Sequence, residues 1–348
     1  FALAFARFPV SIGGRLRHNA RMKIPVIDTR DRRMEDAAHW AAERMDLQHV
    51  DLHPVCGDAS FRRYFRFFDG ERSVILMDAP RYRESSERFL DAAERLRQGG
   101  LKPPEIYHFD LDLGFGLMED FGDALYRQIL GVDTVDELFP GLFDILEAQA
   151  NRVDPEGLPE YNGERLQMEL DIFPDWYLAQ YKQVEMSEAD RAAWDALCAA
   201  LIESARSQPQ VFVHRDFHSC NLLYTEHGTG IIDFQDALYG PVSYDFISLI
   251  WDRYIAWPRE RLESWMAEMH GRFGLECSLD EWIRQCDLMG LQRNIKIAGI
   301  FARLRYRDGK SGYLKMIPLF YQYLLDVLPK YPEFSDFLAM LERDECAP

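Results

Sequence analysis

The feature that most constrains the fold is a polar segment, residues 214–221, enclosed by short apolar runs in a half of the chain that otherwise has helical composition. It reads His-Arg-Asp-Phe-His-Ser-Cys-Asn, and Ile-Ile-Asp-Phe follows at residues 231–234. The apolar runs have the length of strands and cover residues 211–213, 222–224 and 230–232. The pattern predicts a hairpin that interrupts the helices and carries Asp216, Asn221 and Asp233 beside its strands.

These three polar side chains have the chemistry that phosphoryl transfer from ATP requires. Asp216 is the candidate catalytic base, because a carboxylate must receive the proton of the attacking hydroxyl. Asn221 and Asp233 are the candidate magnesium ligands, since this hard cation binds oxygen donors. Each residue alone is also compatible with turn or cap chemistry, so the inference depends on the ordered set. The set predicts a kinase that uses ATP and magnesium.

Length, charge and cysteine content restrict the class of protein. A chain of 348 residues can form two lobes around a cleft. The net charge of −18 argues against a general nucleic-acid binder, which needs a basic surface. Six cysteines without a C-x-x-C pair predict free thiols in a reducing cytoplasm. No apolar run reaches the roughly 18 residues of a membrane helix. We therefore expect a cytoplasmic protein without a nucleic-acid, membrane or obligate protein partner.

The distribution of strand-like and helix-like segments changes near residue 119. Before it, alternating segments and turn signals predict strands at residues 63–68, 73–77, 106–109 and 115–118. Helical spacing predicts two helices in the same part, at residues 31–47 and 84–97. After it, helices are predicted at residues 188–207, 262–273, 279–307 and 313–328.

This distribution predicts an α+β fold with two lobes, a small antiparallel sheet with one helix and a mainly helical lobe. The N-lobe is expected at residues 34–118, with the nucleotide site. The C-lobe is expected at residues 125–348, with the catalytic loop, the magnesium site and the substrate helices. Residues 119–124 break both patterns and are the expected hinge. Residues 1–33 are interpreted as an N-terminal arm or an expression remnant, with a targeting peptide as the alternative.

The polar segment and the later Ile-Asp-Phe together resemble the signature of the aminoglycoside phosphotransferase family, the small-molecule branch of the protein-kinase-like fold. That signature is H-x-D-x-x-x-x-N followed by I-D-[FW]. Residues 240–245, Gly-Pro-Val-Ser-Tyr-Asp, are similar to the family's continuation, in which an aspartate anchors the next helix. The likeness covers roughly Met34 to the end of the chain. It implies a protein-kinase-like fold with ATP and magnesium as cofactors.

Four further segments are similar to the bacterial anomeric N-acetylmuramate/N-acetylglucosamine kinases of cell-wall recycling. In chain order they are G-D-A-S-F-R-R-Y-F-R at 57–66, M-D-A-P at 77–80, F-P-D-W-Y at 173–177 and R-N-x-K-x-x-G-I-F-A-R at 293–303. This closer resemblance implies transfer to the anomeric hydroxyl of an amino sugar. The product would be a sugar 1-phosphate that feeds peptidoglycan precursor synthesis.

The likeness also indicates where the nucleotide would bind. The turn that contains Gly57, Ser60 and Phe61 is expected over the ATP phosphates, with Ser60 and backbone N–H groups as donors. Glu119 and Phe121 are expected in the hinge, where the backbone would face adenine. An ordinary hairpin and a plain turn between lobes are the alternatives for these two segments.

One departure from the family concerns the strand at residues 74–78, which reads Val-Ile-Leu-Met-Asp. Kinases of this fold place a lysine there to hold the α- and β-phosphates, paired with a glutamate of the following helix. Glu84, Glu87 and Glu94 therefore lack an obvious partner. The candidates for the missing positive charge are Arg62, Arg63 and Arg81.

The acceptor is expected to be a small alcohol. Eleven residues separate Asp233 from Asp245, and no A-P-E motif follows, so a peptide-docking platform has no room. A basic face formed by Arg293, Lys296 and Arg303, with Arg307 beyond it, is a candidate anion site for the lactyl carboxylate of N-acetylmuramate. A solvated face is the alternative. Trp176 and Tyr177 are candidates for stacking on a sugar, with core packing as the alternative.

Two other functions stay open from the sequence. An aminoglycoside or amino-alcohol kinase would bind a cationic substrate in a pocket of carboxylates. A nucleotide-binding regulator with weak or no turnover is favoured by the missing strand lysine. The intact set of Asp216, Asn221 and Asp233 argues against the regulator.

Overall fold

The computed structural model describes residues 31–55, 62–80 and 86–348. Its first part contains two helices and five strands. In chain order these are α1 (Arg32–Arg44), β1 (His53–Pro54), β2 (Arg63–Asp69), β3 (Arg72–Asp78), α2 (Glu87–Gln98), β4 (Ile106–Asp110) and β5 (Phe115–Glu119). The strands form one antiparallel sheet in the order β1-β2-β3-β5-β4. The predicted nucleotide residues Gly57, Ser60 and Phe61 lie outside the described residues, as do Arg81 and Glu84.

The β2–β3 hairpin shows why this sequence forms a sheet. Asp69 pairs with Arg72, so Gly70 and Glu71 form a two-residue loop, and Gly70 adopts the positive φ that such turns require. Alternate residues of β2 and β3 are buried against α1. Trp40 of α1 packs on Phe115 of β5 with ring centroids 5.7 Å apart. This small core fixes α1 on one face of the sheet.

The rest of the chain is mainly helical. Its elements are α3 (Tyr126–Ile129), α4 (Val135–Arg152), α5 (Gly163–Leu170), a π-helix (Phe173–Lys182), α6 (Glu188–Ser207), β6 (Gln210–Val213), β7 (Leu222–Thr225), β8 (Gly228–Ile231), β9 (Leu238–Pro241), α7 (Ser243–Ile250), α8 (Arg259–Phe273), α9 (Leu279–Tyr306), α10 (Ile317–Val327) and α11 (Ser335–Leu341). Short 3₁₀ segments cover Ser311–Met316, Leu328–Lys330 and Pro332–Phe334. The predicted α+β, two-lobed fold class is confirmed.

Helix ends follow local chemistry. The Ser187 side chain accepts a hydrogen bond from the Asp190 backbone N–H, and the Asp190 side chain accepts one from the Ser187 backbone N–H, which forms a capping box at the start of α6. The helix predicted over residues 313–328 begins instead as a 3₁₀ turn, and α10 starts at Ile317. Pro318 favours that start, because proline lacks an N–H and is best accommodated in the first turn of a helix.

Two packing contacts position the elements around the cleft. Phe89 of α2 stacks on Phe234, the residue after Asp233, with ring centroids 5.1 Å apart. The helix of the sheet region therefore rests on the end of the polar hairpin. On the other side, Gly299 allows α9 to approach the π-helix, since a Cβ there would lie 2.7 Å from the backbone carbonyl carbon of Ile172. This contact sets the position of α9.

Candidate active site

The polar segment forms the connection between β6 and β7, and Asp233 follows just beyond β8. Arg215 and Asp233 both have positive φ, 76° and 66°, which is unusual for residues with a Cβ. Such conformations persist only where surrounding contacts enforce them. At Arg215 the enforcing group is Asp245, in the first turn of α7. Its carboxylate accepts backbone N–H bonds from His214 at 2.6 Å and from Arg215 at 3.0 Å.

Asp245 is therefore a support for the loop. Its side chain is buried and also accepts a hydrogen bond from Gln149 Nε2 at 2.6 Å. Burial raises the pKa of Asp245, in opposition to these donors, which stabilise the charged form. The family resemblance assigned this aspartate to the helix that follows it. The structure shows in addition that it ties the start of α7 to the backbone of the polar segment.

His214 supports the same loop from inside. Its ring is fully buried, with Nε2 3.0 Å from the carbonyl oxygen of Ile232. The backbone N–H of Asp216 donates to His214 Nδ1 at 3.2 Å. One tautomer satisfies both contacts, a neutral ring protonated at Nε2. The histidine thus holds the loop to Ile232, the residue before Asp233.

Asn221 and Asp233 face each other across the hairpin. Asn221 Nδ2 donates to the backbone oxygen of Asp216 at 2.9 Å and lies 3.4 Å from Asp233 Oδ2. With its amide nitrogen used in this way, the amide oxygen of Asn221 is the atom left to bind a ligand. Gln235 Nε2 donates to Asp233 Oδ1 at 2.7 Å. Burial raises the pKa of Asp233, and the nearby charge of Asp216 raises it further.

This arrangement fits a hard cation. An amide oxygen and a carboxylate are the donors that magnesium accepts, with waters or phosphate oxygens completing the octahedron. Within the described parts of the chain, no group of three or more His, Cys, Asp or Glu side chains would enclose a metal by itself. A cation held by Asn221 and Asp233 would therefore depend on oxygens from a bound ligand.

Asp216 has a carboxylate to which no described residue donates a hydrogen bond. Burial acts to raise its pKa, but the ring of His218 and the cationic side chains of Lys296 and Arg293 lower the pKa to about 2. The group is therefore an ionised carboxylate with free lone pairs. Such a group can accept the proton of a hydroxyl that lies within hydrogen-bond distance of it.

A buried acid that the sequence analysis missed organises the positive charges beside Asp216. Glu169 of α5 binds the guanidinium of Arg215 and lies 3.1 Å from Lys296 Nζ. The hydroxyl of Tyr161 donates to the same carboxylate. Burial acts to raise the pKa of Glu169, but Lys296 and Arg215 lower it overall. No sequence signal marks this residue, because a glutamate inside an amphipathic helix reads as exposed.

Helix α9 carries the predicted basic residues Arg293, Lys296 and Arg303, and the surroundings of the three side chains differ from one another. Lys296 donates to the Tyr244 hydroxyl at 2.9 Å in addition to its contact with Glu169. Arg293 is 3% exposed, and Arg303 has a buried Nε without a hydrogen-bond partner. Arg307 pairs with Asp308 at 2.8 Å on the surface. The solvated alternative is therefore what the structure shows for Arg307.

The two aromatic candidates also differ. Tyr177 is fully buried, stacks on Phe173 at 4.8 Å and donates to the Cys346 carbonyl at 2.7 Å. It is a core residue, which was the alternative weighed for it. Trp176 is half-buried at the edge of the same core, on the π-helix that packs against α9. Its contact with a sugar stays a prediction.

The comparison with protein families decides how this geometry is interpreted. A model of the phosphotransferase enzyme family named APH matches residues 32–279, which include the polar segment, Asp233 and Asp245. The chain belongs to this phosphotransferase family. It is thus a kinase, an enzyme that transfers a phosphoryl group to an alcohol acceptor.

Relatives with assigned activities indicate which branch of the family this chain resembles. The phosphotransferase is 41% identical to the N-acetylmuramate/N-acetylglucosamine kinase of Pseudomonas aeruginosa, over 85% of this chain and 89% of that protein. It is 37% identical to the kinase of the same name from Neisseria meningitidis serogroup B, over 87% of this chain and 93% of that protein. The predicted resemblance to this branch is confirmed.

Solved structures agree on the fold. A choline kinase from Streptococcus pneumoniae, LicA, superposes with a TM-score of 0.61 at 13% identity, over 84% of this chain and 99% of that chain. A spectinomycin phosphotransferase in complex with ADP and spectinomycin superposes with a TM-score of 0.52, over 79% of this chain and 93% of that chain, at 13% identity.

None of the helices in residues 31–55, 62–80 and 86–348 has the length and apolar character needed to cross a membrane.

The hinge predicted for the phosphotransferase is held by ionic and ring contacts. Arg66 of β2 binds Asp120 through Nη2 at 2.9 Å and also reaches Asp123 at 2.9 Å. Phe121 lies against the backbone of β8, where a Cβ on Gly230 would come within 2.5 Å of its ring. The Glu119 backbone N–H donates to the carbonyl of Glu105 at 2.8 Å. These contacts join the sheet to the polar hairpin.

The structure also accounts for one candidate replacement of the strand lysine. Asp78, at the end of β3, is fully buried and accepts hydrogen bonds from Arg33 Nε at 2.8 Å and from Arg63 Nη2 at 2.6 Å. Arg63 also binds Asp31, the N-cap of α1. Arg63 is therefore committed to a structural network and does not supply the missing charge. Glu94 pairs with Arg97 on the exposed face of α2.

Proposed function

We propose that this phosphotransferase transfers the γ-phosphoryl group of ATP, with magnesium, to the anomeric hydroxyl of N-acetylmuramate and N-acetylglucosamine. The observation that carries the proposal is the carboxylate of Asp216, to which no described residue donates a hydrogen bond. It lies beside the facing pair Asn221 and Asp233. The activity for which the relatives at 37–41% identity are named supports the choice of amino sugars. The sugar 1-phosphates would enter peptidoglycan recycling in the cytoplasm, where the described free thiols would stay reduced.

Each polar residue of the hairpin would have one task. The Asp216 carboxylate would receive the proton of the anomeric hydroxyl as its oxygen attacks phosphorus. The Asn221 amide oxygen and the Asp233 carboxylate would hold magnesium. The bound metal would neutralise charge on the phosphate oxygens. Asp245 and His214 would keep the loop in its positive-φ conformation without touching either substrate.

The nucleotide would lie between the sheet and the hairpin. Gly57, Ser60 and Phe61 would cover its phosphates, as the family likeness implies. Glu119 and Phe121 would border adenine, in a hinge at residues 119–124 between lobes 34–118 and 125–348. The contact of Phe121 with Gly230 supports this placement, because it puts the hinge beside the strand that leads to Asp233.

The sugar would lie against α9. Lys296 stands beside Asp216, so it would border the reacting end of the sugar. Arg303 follows two turns later, and long helical side chains point back toward the N-terminus, toward Lys296. The attraction between Arg303 and Glu169 agrees with that direction. Arg303 would therefore bind the lactyl carboxylate, with Arg293 deeper in the site and Trp176 packing on the ring.

Phosphorus and proton NMR of the enzyme with MgATP tests this function. Parallel samples contain N-acetylmuramate, N-acetylglucosamine or kanamycin. We expect a new phosphate signal coupled to the anomeric proton of both acetamido sugars. A product formed only with kanamycin would replace the proposal by an aminoglycoside kinase. Binding of ATP without transfer to any of them would leave a nucleotide-binding regulator.

A further inference from the structure

Arg293 is a buried cation to which the described residues provide no hydrogen-bonded partner. It lies on α9, its residue is 3% exposed, and it donates no hydrogen bond to any residue in the described parts of the chain. Its Nη1 atom is itself buried and unsatisfied. Burial lowers the pKa of Arg293, the opposite of the shift that a carboxylate partner gives. An arginine in this state is unusual, because buried charges are normally paired.

The other described cations around Asp216 have partners. Arg215 and Lys296 share Glu169. Arg253 Nη2 lies 2.7 Å from His218 Nε2, and burial together with Arg253 lowers the pKa of His218. The charges of Asp216 and Asp252 raise the pKa of Arg293 from a distance, without a hydrogen bond. The positive charge of Arg253 lowers the same pKa. Among these four cations, Arg293 is the one for which the described residues provide no hydrogen-bonded partner.

A buried guanidinium without a partner is costly to keep, and a ligand that supplies an anion removes the cost. The position identifies the anion. Arg293 lies one turn before Lys296 on α9, and Lys296 shares Glu169 with Arg215, the residue that precedes Asp216. The hydroxyl that gives its proton to Asp216 is the one that attacks phosphorus, so the transferred phosphoryl group must lie within a few ångströms of the same carboxylate. Arg303, farther along α9, is better placed for an anion remote from the reacting atoms.

We propose that Arg293 binds the phosphoryl group while it is transferred, and that it supplies from the helical lobe a positive charge that β3 does not provide. This inference rests on the proposed phosphoryl transfer. The anomeric O–H gives its proton to Asp216 and forms a bond to the γ-phosphorus. The bond between that phosphorus and the bridging oxygen breaks, and its electron pair leaves with ADP. Arg293 stabilises the equatorial oxygens throughout.

Steady-state kinetics of Arg293→Met with both sugars is the direct test. Methionine keeps much of the volume and removes the charge. We expect kcat to fall by about 10²–10³-fold, equally with N-acetylglucosamine and N-acetylmuramate, while KM for either sugar stays near the wild-type value. Arg293→Lys should recover about tenfold of the loss, since lysine restores a point charge without the bidentate geometry. Arg307→Met, at the surface-paired arginine that caps the C-terminus of α9, is the matched control and should change neither parameter.

Equal losses on both sugars distinguish the phosphoryl group from the substrate carboxylate, which N-acetylglucosamine lacks. A loss confined to N-acetylmuramate would overturn the proposal and assign Arg293 to the carboxylate. Unchanged kcat on both sugars would also overturn it.

A binding measurement separates this inference from the proposed function. Isothermal titration compares a non-hydrolysable ATP analogue with ADP, both with magnesium and without sugar. We expect wild type to prefer the ATP analogue, and Arg293→Met to lose about 10–100-fold of that preference with ADP affinity retained. An unchanged preference would refute the contact. If the wild type phosphorylated neither sugar, the proposed function would be refuted. The binding preference for the ATP analogue could still be measured and would still test the contact of Arg293 with the phosphoryl group. Circular dichroism of the variant must show a folded protein.

Discussion

Two of the buried ionic clusters of this enzyme differ in how completely their charges are paired. Asp78, at the end of β3, receives hydrogen bonds from both Arg33 and Arg63. Asp216, at the polar hairpin, receives none from any described side chain although cations surround it. The first cluster joins α1 to the sheet. In the second, the described residues provide no hydrogen-bond partner for the Asp216 carboxylate or the Arg293 guanidinium.

This difference separates structure from function. A buried charge costs several kcal/mol unless other groups satisfy it, so a fully paired cluster is stable without a ligand. An incompletely paired cluster persists only because the rest of the fold supports it, and it gains its missing partners from substrates. The Asp78 network also shows what the charged residue of β3 does in place of binding phosphate. Asp78, at the end of that strand, holds α1 through Arg33.

The largest expected effect comes from removing the unpaired carboxylate. Asp216→Asn should lower kcat with N-acetylglucosamine by about 10³-fold, because the amide cannot accept the proton. Affinity for the ATP analogue should be retained, as the loop is held by Asp245 and His214 and not by the Asp216 side chain. A coupled ADP-release assay and titration calorimetry measure the two quantities. Wild-type turnover in the variant would remove Asp216 from the mechanism.

Breaking the paired cluster should act on stability. Arg63→Met leaves Asp78 with Arg33 alone and should lower the free energy of unfolding by about 3 kcal/mol. Urea unfolding monitored by tryptophan fluorescence measures it. The control is Arg97→Met, since Arg97 pairs with Glu94 on the exposed face of α2 and should leave stability unchanged. Equal stability of both variants would contradict the distinction between the two clusters.

The position of α9 can be changed without touching a charge. Gly299→Ala places a Cβ 2.7 Å from the Ile172 carbonyl carbon, so α9 or the π-helix must shift. We expect a loss of about 2 kcal/mol in unfolding free energy and about a tenfold lower kcat, because Arg293 and Lys296 move with the helix.

Gly271→Ala in α8 provides the contrast for this substitution. Its added Cβ meets nothing within 4 Å, so alanine should stabilise that helix by about 1 kcal/mol and leave kcat unchanged. The prediction for Gly299 fails if the two glycine variants behave alike.

The smallest effect concerns pH. The folded pKa of Asp216, about 2, is below its unfolded value of 3.8, so its ionised form stabilises the protein above about pH 4. This contribution is lost as the pH falls toward 2. The difference in unfolding free energy between wild type and Asp216→Asn should shrink by about 1 kcal/mol from pH 5 to pH 3. A difference that stays constant over this range would show that the surrounding cations do not hold Asp216 ionised.

Part of this organisation could be predicted from the sequence. Most of the strands, four of the helices after residue 119 and the order of Asp216, Asn221 and Asp233 follow from local patterns, because turn residues and apolar periodicity are visible along the chain. Glu169 could not be predicted. In the sequence it resembles any exposed helical glutamate, and it becomes buried only when α5 packs against α9. Arg63 was mistaken for a possible phosphate ligand for the same reason, since Asp78 pairs with it across a hairpin.

The sequence by itself determined the lobes, the family and the residues of the polar hairpin, because their spacing is local and their chemistry is specific. Only the tertiary structure decided which charges are satisfied. Pairing depends on contacts such as Lys296 with Glu169, 127 positions apart in the chain, and on the absence of such a contact at Arg293 among the described residues. Electrostatic energy in a buried site depends on distance and desolvation, and neither quantity is written in local sequence.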